Sequence, residues 1–486
     1  MAVLEPDLGV LPKSGLLIGG EHIAEGTGGE FQHIYAATGK PTAAVSLAGA
    51  HEIDLAVRAA RSALPQWRAM PLDQRREAML RYAQLLRQHA DELIAISQID
   101  NSFPYFAASL GPISAADAFS YNAGWADKIG GDVIPTWAAP ALDYSLEEPY
   151  GVAGIIIPWN GPIYAAGMTL APALAAGNCV VLKPPELAPF AAIRLGELFL
   201  EAGFPAGVVN VVTAGPEGGE ALVAHPGIDK IHFTGSGATA QKVLAAAQRT
   251  LKPVALELGG KSANIVFADS DLNNAALQGV LGMQGSGQGC INGTRLLVER
   301  SVYEDVLALM SAILSTLEVG DPLMVSTFFG PVVSEGAADR IMGVIETAKS
   351  NGTRLVCGGE RLGGDLAGGY FIAPTVFADV DNSVPLARAE IFGPVVAVLP
   401  FDNEDEAVRL ANDSPFGLAG YIQTADLKRA HRVAAALEVG NIWVNGFLGI
   451  PTSVPFGGVK QSGWGRLGGR DGIREFTRAK NIHVAL

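Results

Sequence analysis

From Gly151 onward, short runs of Val, Ile and Leu alternate with longer stretches of helical periodicity, and that alternation leaves a chain few ways to fold. Gly151–Ile157, Cys179–Leu182, Val208–Val212, Lys230–Phe233 and Val254–Leu258 read as strands; Ile163–Ala176, Phe190–Ala202, Gly218–Ala224 and Thr239–Arg249 read as the helices between them. Strands that are apolar on both faces need cover on both, which a parallel sheet flanked by helices supplies. A second set runs from Ala263 to about Asn445, with strands at Val266-Phe267, Thr294–Val298, Arg354–Cys357, Val395–Leu399, Gly420–Gln423 and Ile442–Val444. Helices near 272–284, 302–317, 335–350, 404–412 and 425–437 separate them. The expected fold is α/β, with two doubly wound parallel-sheet lobes. Residues 51–100 read as helices, with Asp73 as the cap of a run whose Met79, Tyr82, Ala83, Leu86, Ala90 and Leu93 form an ordinary packing face.

Sheets of this kind bind ligands outside the carboxyl ends of their strands. Pro158-Trp159-Asn160, Lys183-Pro184-Pro185-Glu186 and Thr234-Gly235-Ser236 all fall at such ends, which points to a nucleotide site. Gly235–Ala240 also fits a dinucleotide fingerprint, with Glu257 about 20 residues on as a ribose ligand. That fingerprint belongs to the first strand–helix turn of its fold, whereas about three such units precede Gly235, so the assignment is discounted.

Cys290 stands in Gly-Ser-Gly-Gln-Gly-Cys-Ile-Asn-Gly, residues 285–293. Glycines on both sides pack a core poorly and let a substrate approach the backbone closely. Cys179 and Cys357 read as small buried hydrophobes; for Cys290 the local sequence alone allows packing thiol and nucleophile equally. No histidine lies near it in sequence. Glu257 ends an apolar run and precedes Gly-Gly, where burial would raise its pKa and suit it to general-base work. With Asn160 as an amide donor, these residues make a set suited to acyl chemistry on sulfur.

Bulk properties narrow the classes. A chain that is 49% hydrophobic is globular, and a net charge of −15 argues against a nucleic-acid partner. Three cysteines fit a reducing compartment. The segment Met1–Asp7 has no basic n-region, and no apolar run approaches the roughly 18 residues of a membrane span, so the expected location is cytoplasmic. The eight histidines are scattered without ligand spacing, and no metal is expected.

Several segments now carry a resemblance. They are Pro-Trp-Asn (158–160), Ala-Pro-Ala-Leu-Ala-Ala-Gly-Asn (171–178), Lys-Pro-Pro-Glu (183–186), Phe-Thr-Gly-Ser (233–236) and Glu-Leu-Gly-Gly-Lys-Ser (257–262). Gly-Gln-Gly-Cys (287–290), Glu-Ile-Phe-Gly-Pro-Val (390–395) and Pro-Phe-Gly-Gly-Val-Lys-Gln-Ser-Gly (455–463) complete the order. Over nearly its whole length the chain resembles the aldehyde dehydrogenase superfamily. The resemblance implies a Rossmann-like NAD-binding domain at 1–129 and 150–258, a catalytic domain at 259–460, and an oligomerising β-flap at 130–149 and 461–486. It implies Cys290 as the nucleophile, Asn160 and the Cys290 backbone N–H as oxyanion donors, and Glu257 as the base that activates the hydrolytic water. The cofactor would lie against Ile156, Pro158, Trp159, Lys183, Glu186, Gly215, Phe233, Gly235, Ser236, Leu258, Gly259, Glu390 and Phe392. Lys183 and Glu186 would meet the adenosine ribose, and a carboxylate at 186 favours NAD over NADP. Substrate walls by the same resemblance are Gly161, Tyr164, Ala165, Met168, Gln284, Ile291, Ile450 and Phe456. With no charge among them, an uncharged aromatic or medium-chain aldehyde is expected. Gly130–Leu146 and Asn481–Leu486 resemble flap strands, implying a homodimer or homotetramer.

Departures matter as well. Thr169 stands where the family often has Lys, and Leu467 where it often has Glu, two residues associated with carrying a proton away from the base. Ala240, Val459 and Pro185 also differ, and Asp100–Pro104 replaces a usual Gly-Lys-Pro segment near the entrance. An acylating or esterase-like relative and a non-catalytic structural member are the competing readings; the second should have lost Cys290, Asn160 or Glu257.

Overall fold

The computed structural model describes residues 3–137, 140–446 and 449–486; Ala138 and Ala139, inside the expected flap segment, lie outside these, as do Met1 and Ala2. The first lobe is built on β1 (Val152–Ile156), α1 (Pro162–Ala175), β2 (Cys179–Lys183), α2 (Phe190–Glu201), β3 (Val209–Val211), α3 (Pro216–Ala224), β4 (Lys230–Thr234), α4 (Gly237–Ala247) and β5 (Val254–Glu257). These strands pair in parallel in the order β3-β2-β1-β4-β5. The chain therefore winds outward from β1 in one direction, then restarts at β4 in the other. The switch point lies between β1 and β4, where Ile156 and Phe233 are register partners. Antiparallel edges from Leu16–Ile18 and Glu21–Ile23 on one side and Gly463-Trp464 on the other widen the sheet to eight strands.

The second lobe continues with β6 (Ala263–Val266), α5 (Leu272–Leu281), β7 (Arg295–Glu299), α6 (Tyr303–Leu314), α7 (Glu335–Ser350), β8 (Arg354–Cys357), β9 (Thr375–Ala378), β10 (Val395–Phe401), α8 (Glu404–Asn412), β11 (Ala419–Gln423), α9 (Leu427–Ala436) and β12 (Asn441–Val444). Its seven strands are ordered β8-β9-β10-β7-β6-β11-β12, parallel except at β8. The expected strand–helix alternation appears in both lobes, each wrapped around its own apolar core. Strand β9 was not expected: Thr-Val-Phe-Ala is too short to show periodicity, although all four residues are buried and the strand lies one in from the sheet's edge.

Three further differences have physical causes. Asp73 does not cap its helix, which begins at Leu72 after Pro71; the Asp73 carboxylate instead accepts its neighbour's N–H inside the first turn. The N-terminal strands Glu30–Tyr35 and Lys40–Ser46 and the helix Tyr105–Ala123 escaped the pattern, the helix because its apolar and small residues lie all around it. The flap is a three-stranded sheet of Val133-Ile134, Ala141–Pro149 and Thr477–Ala485. Residues 461–476 are not part of it. Gly463-Trp464 pairs with β5, and the helix Gly469–Arg474 packs on α1, so this stretch adds to the first lobe. Among the described residues no helix is long and apolar enough to cross a membrane.

Candidate functional site

The carboxyl ends of the first sheet carry the expected cofactor residues. Ile156 ends β1, and Pro158 and Trp159 follow it; Lys183 ends β2; Gly215 precedes α3; Phe233 lies in β4, and Gly235 and Ser236 open α4. Ser236 caps α4 by accepting the Thr239 N–H at 3.2 Å. Gly237, the first residue of α4, has open space where a side chain would stand. At Gly235 a Cβ would come within 2.6 Å of the Phe233 ring. Lys183 is nearly enclosed, and burial lowers its pKa against the pull of Glu186, whose carboxylate is 3.6 Å away. From the second lobe, Glu390 accepts the Gly260 N–H at 3.0 Å, and burial pushes its carboxyl up to about 7. Leu258 and Gly259 pass beneath it; a Cβ on Gly259 would overlap the Glu390 carboxylate. Phe392 sits at positive φ and meets Trp159 edge-on, ring centroids 5.4 Å apart.

The loop bearing Cys290 is held from several sides. Gly285, Ser286 and Gly287 all adopt left-handed backbone, and at Gly287 a Cβ would lie 1.8 Å from the Gly393 carbonyl oxygen. The Gln288 side chain donates to Gly285 O and accepts the Val333 N–H, while its own carbonyl accepts Asn160 Nδ2 at 2.8 Å. Asn292 Nδ2 reaches back to Gln284 O, and Tyr421 donates to Ile291 O at 2.9 Å. Only a glycine at 260 admits the Cys290 carbonyl, which would stand 2.5 Å from a Cβ there. Cys290 is half-buried, and desolvation first, then the charges of Glu390 and Glu257, push its pKa up to about 12; the Cys290 and Ile291 N–H groups oppose the shift.

Glu257 is the last residue of β5 and is buried. Burial raises its pKa well above the carboxylate range, Arg466 pulls it down, and Glu475 pushes it up again. Its Oε1 has no hydrogen-bond partner among the described residues. The Arg466 Nη1 that faces the same point near Gly457 is taken by the Gly458 and Gly465 carbonyls. Leu467 is buried and pairs backbone to backbone with Phe456, and the Thr169 hydroxyl is turned onto Ala165 O at 2.7 Å. Neither of these two positions offers Glu257 a proton acceptor.

Of the expected substrate walls, Gly161, Tyr164, Ala165 and Met168 lie at or within the first half of α1. Met168 is fully in the first lobe's core, with Tyr164 and Ala165 packed on the core's edge. Ile291 follows Cys290, Gln284 begins the turn that leads to it, Ile450 is half-buried and Phe456 is buried. Two features escaped sequence reasoning. Asn101 Nδ2 donates to Trp159 O at 3.0 Å, bracing the Pro-Trp-Asn turn from 58 residues away. Tyr164, read as an apolar wall, carries a buried hydroxyl whose pKa is raised by burial, then by Cys290 and Glu257. No sequence signal marks the first; for the second, the polar end of Tyr was the available signal. Among the described residues, no group of three or more metal-ligating side chains occurs.

Comparison with known proteins agrees on one family. The model of the aldehyde dehydrogenase family matches residues 23–482. An aldehyde dehydrogenase-like protein of Schizosaccharomyces pombe is 43% identical over 446 residues, covering 91% of this chain and 89% of its own. The NAD+ complex of an aldehyde dehydrogenase from Bacillus cereus superposes with a TM-score of 0.95 at 38% identity, covering 100% of both chains. A point mutant of betaine aldehyde dehydrogenase from Staphylococcus aureus, in complex with NAD+ and with a BME-modified cysteine, gives 0.94 at 33% identity over 97% of each chain.

Proposed function

The chain belongs to the aldehyde dehydrogenase family, and from that premise we propose that it oxidises an uncharged aromatic or medium-chain aldehyde to the carboxylic acid with NAD. What supports the reading is the Asn160–Gln288 bond, which ties the turn after β1 to the loop that carries Cys290, together with the Glu257 carboxyl at the end of β5, whose charge acts on the Cys290 thiol.

The crevice suits the cofactor. Small residues at 235–237, an α4 N-terminus and open space at Gly237 fit an anionic pyrophosphate. Lys183 and Glu186 would hold the adenosine ribose, and Glu390 and Phe392 the nicotinamide end. The Glu186 carboxylate would repel a 2′-phosphate. When bound, NAD supplies the acceptor for the hydride that must leave the substrate carbon.

The protein's own residues do the rest. The Cys290 proton passes to solvent water as its sulfur adds to the aldehyde carbon, giving a thiohemiacetal. The second N–H of the Asn160 amide and the Cys290 backbone N–H hold the oxyanion, donors each worth roughly 3–4 kcal/mol. Oxidation of that carbon leaves a thioester on Cys290. Glu257 then takes a proton from the water that hydrolyses it, a task for a carboxylate whose pKa burial has raised. Substrate preference is read from the walls: Tyr164, Ile450 and Phe456 offer aromatic and apolar contact, Met168 belongs to the core and not to the wall, and no charged side chain stands among them.

The test is an aldehyde panel followed by NADH absorbance, run with NAD and with NADP. Benzaldehyde and six-to-ten-carbon aldehydes should exceed betaine aldehyde and succinic semialdehyde in kcat/KM. A charged aldehyde winning by tenfold would reject the apolar walls; no aldehyde-dependent NADH at all would reject the activity.

A further inference from the structure

Tyr164 brings to the site a hydroxyl that the steps above leave idle. It is the third residue of α1, one turn beyond Asn160, and its ring packs against the edge of the first lobe's core. Its Oη is buried and has no hydrogen-bond partner among the described residues. A buried hydroxyl left unpaired is unfavourable, and such groups persist where they serve a ligand or a reaction. Asn160, one turn before it, is bonded to Gln288 O two residues ahead of Cys290, so α1 sets Tyr164 beside the loop that carries the nucleophile, and after burial the groups that act on the phenol are the Cys290 sulfur and the Glu257 carboxyl. Both keep it protonated at any working pH.

A water that hydrolyses a thioester on Cys290 must stand between that sulfur's acyl carbon and Glu257. It has two hydrogens: one goes to the base, and the other needs an acceptor if the attacking lone pair is to point at carbon. We propose that Tyr164 is a further catalytic residue, its hydroxyl oxygen accepting the hydrogen of the hydrolytic water that Glu257 does not take. In the step, the water oxygen bonds to the acyl carbon and one water proton passes to Glu257. The carbon–sulfur bond breaks with its electron pair on Cys290 Sγ, and the carboxylic acid leaves; nothing is oxidised or reduced. The inference rests on Cys290 being the nucleophile. It turns a residue counted as an apolar wall into one that acts only after the hydride has gone.

Tyr164→Phe separates these roles, since it keeps the ring and removes only an oxygen with no hydrogen-bond partner among the described residues. Stopped-flow NADH formation should show a first-turnover phase within twofold of wild type and a burst approaching one NADH per site. Steady-state kcat should fall about tenfold, ~1.4 kcal/mol, with KM falling in parallel so that kcat/KM is nearly unchanged. Acid-quenched protein should carry the acyl group on Cys290 by mass spectrometry, and hydroxylamine, a nucleophile that needs no positioning, should restore turnover. Unchanged kcat, or kcat and kcat/KM falling together without a burst, would overturn the proposal, the second outcome making Tyr164 a wall after all. No acyl adduct on Cys290 in either protein under turnover would overturn the nucleophile assignment itself.

Discussion

Asn160 donates its side-chain amide to the Gln288 carbonyl at 2.8 Å, joining the turn after β1 to the loop two residues ahead of Cys290. One N–H of the amide thus fixes its plane, and the other stays available. A preorganised donor needs that kind of fixation, because an amide free to rotate would have to be ordered during the reaction.

Asn160→Ala therefore removes both the tie and the donor. We expect kcat to fall 10²–10³-fold, about 3–4 kcal/mol, with NAD affinity by titration within a fewfold of wild type. A mutant with kcat within fivefold would show that the backbone N–H of Cys290 suffices.

The nucleophile and the base should fail differently. Cys290→Ala abolishes NADH production and leaves NAD binding intact. Glu257→Gln still forms the acyl-enzyme but hydrolyses it slowly. The pH profile tests the same assignment: Glu257 is raised well above the carboxylate range by burial, so it is ionised and active only above that raised pKa. In wild type, the deacylation rate should rise with pH through that point, and the limb should vanish in Glu257→Gln. The linked stability has the opposite sense: it is present below the ordinary carboxylate pKa and lost as pH rises through the raised one.

At Gly287 the backbone is left-handed, with φ of 72°, and a Cβ would lie 1.8 Å from Gly393 O. Gly287→Ala must move one of the two segments. The expected result is a loss of about 1–3 kcal/mol of stability in thermal melts, and a larger proportional loss of kcat, because the displaced segment carries Cys290. Equal melting curves and wild-type kcat would show that the loop adapts freely.

Cofactor choice is expected to turn on Glu186, whose partner Lys183 is 3.6 Å away. Glu186→Ser removes the charge that would meet a 2′-phosphate and frees Lys183 to face it. The ratio of kcat/KM for NADP over NAD should rise at least tenfold. An unchanged ratio would place discrimination elsewhere in the crevice.

What the sequence disclosed and what it hid follow from distance along the chain. The alternation from Gly151 exposed the strands because apolar runs and turns are local signals. Strand β9 stayed hidden, since four residues carry no period. Position at a strand end could be read for Asn160, Lys183 and Glu257, and the structure gathers these ends on one side of the first sheet. The Asn101–Trp159 bond could not be read, and the polar end of Tyr164 could be read but not its lack of a partner among the described residues, because each depends on which neighbours the fold supplies. The tail shows the same limit: 461–476 looks like a continuation toward the flap, and only pairing with β5 reveals that it belongs to the first lobe.

The flap itself leads to the last prediction. Its three strands expose Val133, Ile134, Leu142, Leu146 and Val484, and Trp137 beside them is 98% exposed. A three-stranded sheet standing outside both cores, with apolar side chains and two open edges, is a surface that another chain can cover. The long edge strand Thr477–Ala485 carries Arg478, Lys480 and His483, of which Lys480 and His483 pair with Glu148 and Asp143 of the neighbouring strand. A second copy of the same chain is the simplest such partner, since closed symmetric assemblies are the commonest. Light scattering at micromolar concentration should give a multiple of 50.5 kDa corresponding to a dimer or tetramer. Replacing Val133 and Trp137 by Lys together should lower that mass while leaving the folds of both lobes intact by circular dichroism. A monomeric wild-type mass would remove the flap's proposed role.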